Sequence, residues 1–153
     1  MASNPLVVCV CTGNTCRSPM AAALLRQALD KRGREDILVE SAGLAAGFAS
    51  PASEHAVAVM REIGLDLSGH RSRPLTETLA ADAAWIVAMT GGHAAVLTGR
   101  FGVPPVRVIV PGRGIPDPFG GTPADYRRTR DALAEAMENL ADRFCTDIPA
   151  PNT

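Results

Sequence analysis

Two residues near the start of the chain, Cys11 and Arg17, have the types and spacing needed to bind and attack a phosphate group. The five residues between them are small, and small residues let successive backbone N–H groups turn inward around a tetrahedral anion. The spacing would place the sulfur beneath that anion and let the guanidinium bind its oxygens in bidentate fashion. We therefore predict a phosphate-binding loop, whose binding residues are Thr12, Gly13, Asn14, Thr15, Cys16, Arg17 and Ser18.

Cys11 is the predicted nucleophile of this loop. Inward-facing amides and the start of a following helix favour the thiolate form, and a thiolate is the reactive form of cysteine. Ser18 can donate a hydrogen bond to the sulfur. The loop is not an ATP-binding loop, because its glycine–lysine pattern is missing and Lys31, the one lysine, lies elsewhere. The alternative is a buried cysteine beside a surface arginine, since this bare spacing also arises by chance.

Asp117 is the candidate acid that would protonate a leaving group and later activate water. It lies between Pro116 and Pro118, in a stiff segment before the last predicted helix. An aspartate in a proline-rich turn is often only a turn residue, and that alternative stays open on this evidence. The predicted catalytic residues are Cys11, Arg17 and Asp117.

Alternating apolar runs and helical patterns predict the elements that position these residues. Short apolar runs indicate strands at residues 6–10, 37–39, 84–88 and 106–110. Helical patterns follow at residues 19–33, 50–64, 92–100 and 122–144. This order predicts a three-layer α/β/α fold with a parallel four-stranded sheet and the phosphate loop between strand 1 and helix 1. We expect one domain over residues 1–145 and a disordered tail over 146–153.

Composition excludes several other classes of protein. The net charge is −1 over 153 residues, and there is one short basic run. This charge distribution does not predict a positively charged surface that would bind nucleic acid or a membrane. No secretory signal precedes the first apolar run, which predicts a cytoplasmic protein with reduced thiols. The spacing of Cys9, Cys11 and Cys16 matches no common zinc pattern, so we predict no metal or cofactor. Oligomeric state is not predictable from these features.

The chain resembles the low-molecular-weight protein phosphatases over nearly its whole length. Beyond the loop, the resemblance rests on Ser41-Ala42-Gly43, Leu67-Ser68-Gly69-His70-Arg71-Ser72, Ala88-Met89-Thr90 and Asp117-Pro118-Phe119-Gly120-Gly121. It implies the same fold, phosphorylated protein substrates, a phosphocysteine intermediate at Cys11, and the role of acid for Asp117. It also implies a supporting network in which Ser41 and His70 bind Asn14, which would adopt a left-handed conformation. His55 and His93 receive no role.

Position 15 bears on the substrate. Tyrosine phosphatases of this kind mostly carry Ile or Leu there, whereas Thr15 and its neighbours resemble the bacterial protein arginine phosphatases. Thr is smaller and can offer a hydrogen bond to a guanidinium, although it can also simply pack the loop. Phe119 is followed by two glycines, so the acid segment supplies one aromatic wall for the substrate. Phe48 is either a second wall of the entrance or a core residue. We predict phosphoarginine as the substrate, with phosphotyrosine as the alternative.

Two roles are open for Cys16. Cys16 is either a resolving thiol that forms a disulfide with oxidised Cys11, which would make the protein redox-sensitive, or a small residue in a tight loop.

An arsenate reductase would need further cysteines near residues 80–95, which contain none. A catalytically inactive phosphate-binding regulator would need neither a nucleophile nor an acid, so the presence of Cys11 and Asp117 argues against that function.

Overall fold

The computed structural model describes residues 4–151, which form alternating strands and helices. In chain order the elements are β1 (Leu6–Cys11), α1 (Arg17–Lys31), β2 (Leu38–Gly43), α2 (Glu54–Arg61), α3 (Glu77–Asp82), β3 (Trp85–Ala88), α4 (Gly91–Arg100), β4 (Val108–Ile109) and α5 (Pro123–Asp147). Over these residues the strands form one parallel four-stranded sheet in the order β2-β1-β3-β4. The predicted α/β/α fold is confirmed.

Strand β1 is central, and its side chains point alternately into two cores. Val7, Cys9 and Cys11 face a larger core that α1, α2 and α5 cover. Val8 and Val10 face a smaller core that includes residues of α3 and α4. Burial on both faces explains why β1 is a continuous apolar run. Its carboxyl end, where Cys11 lies, therefore opens at the middle of one sheet edge, where open α/β sheets bind ligands.

Several elements differ from the predictions, most clearly α2, β4 and α3. Helix α2 begins at Glu54 and not near residue 50, because the hydroxyl of Ser53 accepts the N–H of Ala56 and caps it. Strand β4 is only two residues long, because Pro104 and Pro105 lack N–H groups and a 3₁₀ turn (Pro105–Arg107) precedes it. The short helix α3 was not predicted.

The predicted tail begins too early. Helix α5 continues to Asp147, and the Ile148 side chain is buried. The guanidinium of Arg34 donates to the carbonyls of Ile148 and Pro149 at 2.9 and 3.0 Å. These contacts hold the chain against the domain beyond residue 145, and residues 152–153 lie outside the described part.

The start of α5 follows the predicted signal. Thr122 caps the helix and Pro123 occupies its first turn, with a reciprocal capping box between Thr122 and Asp125. The segment that carries Asp117 leads directly into this cap. Within residues 4–151, no helix is both long and apolar enough to cross a bilayer.

Candidate active site

Cys11 and Arg17 lie at the two ends of the phosphate loop (residues 11–18). Cys11 is the last residue of β1 and Arg17 is the first residue of α1, so the intervening residues close a tight turn between strand and helix. Cys11 Sγ lies 3.0 Å from Ser18 Oγ and accepts the backbone N–H of Asn14 at 3.3 Å. Two polar partners therefore face the sulfur, which suits a negatively charged thiolate.

Asn14 organises the loop from within. Its backbone has φ 57°, the left-handed conformation that Asn tolerates better than most residues. Its Nδ2 donates to Ser18 Oγ at 2.8 Å and to Ser41 Oγ at 2.9 Å, while its Oδ1 accepts the backbone N–H of Arg73 at 3.0 Å. His70 Nε2 lies 2.7 Å from the carbonyl oxygen of Asn14. The structure thus brings Asn14, Ser41 and His70 together as predicted, and adds Arg73.

These contacts fix the direction of the Ser18 hydroxyl. The backbone N–H of Arg73 can only donate, so the amide oxygen of Asn14 must face it and the amide nitrogen must face Ser18. Because that nitrogen is also only a donor, Ser18 Oγ accepts from it. The hydroxyl proton of Ser18 is then free to point at Cys11 Sγ.

His70 supports the loop in its neutral form. Burial lowers the pKa of His70 below its ordinary value, and the positive charges of Arg71 and Arg73 lower it further, against the bond to Asn14. A carbonyl oxygen can only accept, so Nε2 of His70 carries the proton of the bond to Asn14. The ring is a hydrogen-bond donor to the loop backbone.

Gly43 lies where the loop backbone passes closest to β2. A Cβ atom at this position would lie 2.6 Å from the carbonyl oxygen of Thr12 and 3.1 Å from the Cβ of Asn14. The same carbonyl of Thr12 accepts the N–H of Ala45 at 2.9 Å. Gly43 therefore lets the segment after β2 dock directly against the phosphate loop, a role that the sequence did not reveal.

Arg17 connects the phosphate loop to the acid loop (residues 116–121). Its side chain is buried, and it donates to the carbonyl of Ile115 at 3.0 Å. Its other terminal nitrogen lies 3.5 Å from Asp117 Oδ2, and 51% of the Asp117 side chain is exposed. A guanidinium has five N–H donors, so these contacts leave donors for a phosphate group. Asp117 Oδ1 also accepts the N–H of Phe119 at 3.0 Å, which holds the carboxylate above the phosphate loop.

Both loops line one cleft of about 220 Å³. Its lining residues are Cys11, Thr12, Gly13, Thr15, Cys16, Arg17, Asp117 and Phe119. The predicted nucleophile, arginine and acid are thus brought to one site, with Thr15 in its wall. Phe119 lines the cleft and is 77% exposed. Phe48 is 82% exposed, so the core alternative for Phe48 is wrong. It is not one of the residues that line the cleft, so the structure does not place it as the second wall either.

The four cysteines are free thiols in distinct surroundings. Burial raises the pKa of Cys9 to about 12, which makes this thiol unreactive at neutral pH. Cys16 lines the cleft, and its sulfur lies 3.4 Å from Ser53 Oγ and 3.5 Å from the hydroxyl of Tyr126. Cys145 is half-buried on α5. Across the residues that the structure describes, no group of three or more His, Cys, Asp or Glu is placed to hold a metal ion.

His93 is the residue near the site that the sequence did not single out. Its Nε2 lies 2.9 Å from Oγ1 of Thr12, although 81 positions separate the two residues. Burial lowers the pKa of His93, and the positive charge of Arg17 lowers it further, while Asp117 opposes the shift. A histidine alone in a sequence carries no sign of such a contact.

Known proteins are similar to this chain in both sequence and fold. A family model described as low molecular weight phosphotyrosine protein phosphatase matches residues 6–149. A protein-arginine-phosphatase of Bacillus subtilis is 40% identical over 92% of this chain and 97% of its own length. Low molecular weight protein-tyrosine phosphatase A of Mycobacterium tuberculosis is 36% identical over 92% of each chain. The solved YwlE arginine phosphatase of Geobacillus stearothermophilus superposes with a TM-score of 0.85 at 35% identity, covering 97% of this chain and 99% of that one.

Proposed function

Because this chain belongs to the low molecular weight phosphotyrosine protein phosphatase family, we propose that it removes phosphate from arginine side chains of proteins through a phosphocysteine at Cys11. The observation that carries the choice of substrate is the cleft wall: Thr15 lines it where a bulky aliphatic residue would favour a phenyl ring. The relatives of Bacillus subtilis and Geobacillus stearothermophilus at 40% and 38% identity, both named protein-arginine-phosphatase, support the same choice.

In the first step, the Cys11 thiolate attacks phosphorus and the P–N bond breaks. Asp117, as the neutral acid, gives its proton to the leaving guanidino nitrogen, so arginine departs and a phosphocysteine remains. The loop amides and the guanidinium of Arg17 hold the three phosphoryl oxygens through this transfer. The contact of Asp117 with Arg17 supports this assignment, because it keeps the acid beside the phosphate loop.

In the second step, water attacks the phosphorus and the S–P bond breaks. The Asp117 carboxylate takes a proton from that water, and inorganic phosphate leaves. The Cys11 sulfur departs as a thiolate, whose charge the Ser18 hydroxyl stabilises through the 3.0 Å contact. The direction of that hydroxyl, which Asn14 fixes, supports this role of Ser18.

Two features of the cleft suit a guanidinium. Asp117 is half exposed, so once it has given up its proton its carboxylate can pair with the planar cation of the departing arginine. The hydroxyl of Thr15 can accept a hydrogen bond from the same group. Phe119 supplies one exposed aromatic face, on which a guanidinium can stack.

Phosphotyrosine hydrolysis by the same residues is the second candidate function. The exposed ring of Phe119 favours it, because an aromatic wall beside the cleft can pack against a phenyl ring. The matched family model and the Mycobacterium tuberculosis relative are named for tyrosine phosphatases. The two candidate functions differ in the substrate side chain that the cleft wall at position 15 favours, a guanidinium or a phenyl ring.

Matched substrates decide between them. We would measure kcat/KM on one peptide sequence carrying either phosphoarginine or phosphotyrosine, and we expect at least about a tenfold preference for phosphoarginine, the value of one lost hydrogen bond in a cleft. Thr15→Ile should shift the ratio towards tyrosine. Thr15→Ser, which keeps the hydroxyl, is the control and should retain the arginine preference. A tyrosine preference in the unmodified protein would refute the proposal.

The proposal includes a protective role for Cys16 and a cytoplasmic location. Cys11 and Cys16 line the same cleft as free thiols, so a Cys11 sulfenic acid formed by peroxide could condense with the Cys16 thiol to give a disulfide and water. Such a pair serves a compartment that reduces disulfides, as the cytoplasm does. Activity lost to excess peroxide should return with dithiothreitol, whereas in Cys16→Ser a second peroxide should oxidise the sulfenic acid of Cys11 to the sulfinic acid, which dithiothreitol does not reduce. Equal recovery in both proteins would contradict this role.

A further inference from the structure

His93 is built into the first turn of α4, directly beside the phosphate loop. The hydroxyl of Thr90 accepts the backbone N–H of His93 at 3.1 Å and caps the helix. Helix α4 follows β3 at the sheet edge where Cys11 ends β1, so the imidazole lies next to the residue that follows the nucleophile. Its Nε2 is 2.9 Å from Oγ1 of Thr12.

The surroundings of the ring determine which nitrogen carries the proton. His93 is 9% exposed, and its Nδ1 is buried with no hydrogen-bond partner among residues 4–151. Buried N–H groups without an acceptor are rare and costly in proteins. The proton therefore belongs on Nε2, and Nδ1 keeps an unshared electron pair. The lowered pKa of His93 agrees with this, because a second proton would create the unpaired buried N–H.

This tautomer determines that the Thr12 hydroxyl is the acceptor in its contact with His93. Nε2–H of His93 donates to Oγ1 of Thr12, so the hydroxyl proton of Thr12 is left to point elsewhere. Thr12 lines the cleft that holds Cys11 and Arg17. In the part of the chain that the structure describes, the imidazole is the one partner of this hydroxyl.

We propose that His93 is a positioning residue, which fixes the Thr12 hydroxyl so that its O–H donates to a phosphoryl oxygen held above Cys11. The inference rests on the proposed phosphatase function and adds a side-chain donor to the ring of backbone amides. It gives His93 an effect on the reaction without contact with the substrate. A fixed donor is worth more than a freely rotating one, because its orientation does not have to be restricted when the phosphate binds.

The first test observes the tautomer directly. Nitrogen-15 NMR of the imidazole in the unmodified protein at pH 7 distinguishes a protonated from a bare ring nitrogen. We expect the His93 signals to show a protonated Nε2 and a bare Nδ1. A proton on Nδ1 would overturn the inference, because Thr12 would then be the donor to His93 and could not donate to phosphate.

The second test is a double-mutant cycle with p-nitrophenyl phosphate, a substrate that does not depend on the choice between arginine and tyrosine. Thr12→Val removes the hydroxyl at nearly constant shape, and His93→Phe removes the ring nitrogens. We expect each to lower kcat/KM about tenfold, as for the loss of one hydrogen bond to a charged group. The double variant should be no worse than Thr12→Val alone, because both changes remove one interaction.

Controls separate this role from a purely structural one. His93→Gln, which can place an N–H near the position of Nε2, should restore most of the loss. His55→Phe removes another imidazole and should leave kcat/KM within about twofold, the scale of surface substitutions. Thermal melting identifies a His93→Phe protein that does not fold, in which case Thr12→Val and the NMR result still decide.

The outcomes also distinguish this inference from the proposed function. An unmodified protein with no phosphatase activity would defeat the proposed function. An active protein in which Thr12→Val is unimpaired, or in which the two losses multiply in the double variant, would overturn the role of His93 alone.

Discussion

The phosphate loop and the acid loop meet in one cleft but are held in very different ways. Around the phosphate loop, the side chains of Asn14, Arg17 and Ser18 are buried, and hydrogen bonds tie the loop to three other segments of the chain, at Ser41, Arg73 and Ile115. In the acid loop, Asp117 and Phe119 are largely exposed, and the carboxylate is fixed by one backbone N–H and by Arg17. One region is part of the core and the other lies on the surface.

This difference separates capture of the phosphate from choice of the side chain that bears it. A preorganised ring of donors binds the phosphoryl group without reorganisation, and burial makes that ring costly to alter. The exposed loop can change residue by residue at little cost in stability. Substitutions of the buried residues of the phosphate loop should therefore reduce activity on every substrate, whereas those in the acid loop, like those of Thr15 in the cleft wall, should affect leaving-group chemistry or substrate choice.

The largest effect is expected for Arg17→Lys. An ammonium group cannot bind two phosphoryl oxygens while also contacting Ile115 and Asp117, so kcat/KM should fall about 100- to 1000-fold on all phosphate esters. Steady-state kinetics with an aryl phosphate measure this. Arg143→Lys, an exposed change on α5, is the control and should leave kcat/KM within about twofold. A loss below about tenfold in Arg17→Lys would show that the buried guanidinium is not central.

Asp117→Asn should have the next largest effect. Without an acid, kcat for phosphoarginine should fall about 100-fold. Because this side chain is half exposed, the free energy of unfolding should change by less than about 0.5 kcal/mol. Kinetics and urea denaturation on the same sample test both statements. A stability loss as large as that of a core substitution would contradict the division between the two loops.

Gly43→Ala probes the support of the phosphate loop. The added methyl group would overlap the carbonyl of Thr12, so we expect a loss of about 1–3 kcal/mol in unfolding free energy and about tenfold lower activity. Gly69→Ala is the control, because a Cβ there meets no atom within 4 Å. Equal stability of the two variants would mean that the close approach of β2 does not matter.

Phe119→Ala should act on substrate binding alone. Loss of the exposed ring should raise KM for phosphoarginine peptides about threefold to tenfold, while kcat and inhibition by inorganic phosphate stay nearly constant. Val106→Ala removes a similarly exposed apolar side chain just before β4 and serves as the control. An unchanged KM in Phe119→Ala would show that the ring of Phe119 does not contribute to substrate binding.

The smallest effect concerns pH. The pKa of His70 is lowered in the folded protein from its ordinary 6.5, so below that pH the unfolded chain binds a proton more readily. Stability should therefore decline as pH falls below about 6.5, by less than about 1 kcal/mol for this half-buried group. His70→Gln should show a weaker decline in denaturation series at pH 5.5 and 7.5. If stability declined equally in both proteins, the decline would come from groups other than His70.

Local sequence signals predicted the parts of the molecule that local chemistry determines. The apolar run of β1, the small residues of the loop and the Thr122–Pro123 start of α5 each lie within a few positions, and all appear where expected. The left-handed conformation of Asn14 followed from its residue type and from the family resemblance. The missed helix α3 is six residues long, too short for a periodic pattern.

What the sequence could not predict depends on contacts between distant segments. The ring of His93 and the hydroxyl of Thr12 meet because β1 and β3 are neighbours in the sheet. The need for Gly43 appears only when the phosphate loop lies against β2. The pairing of Arg17 with Asp117 likewise depends on the position of the acid loop beside the phosphate loop.

The central claim is that phosphate passes from arginine to Cys11. It is tested most directly by mixing the protein with a radiolabelled phosphoarginine protein, quenching within milliseconds in acid, and mapping the label by mass spectrometry. We predict a transient phosphate on the peptide that contains Cys11 and no label in Cys11→Ala, which should also have lost turnover. Rapid hydrolysis of phosphoarginine by Cys11→Ala, or by the unmodified protein without a labelled Cys11, would contradict the account.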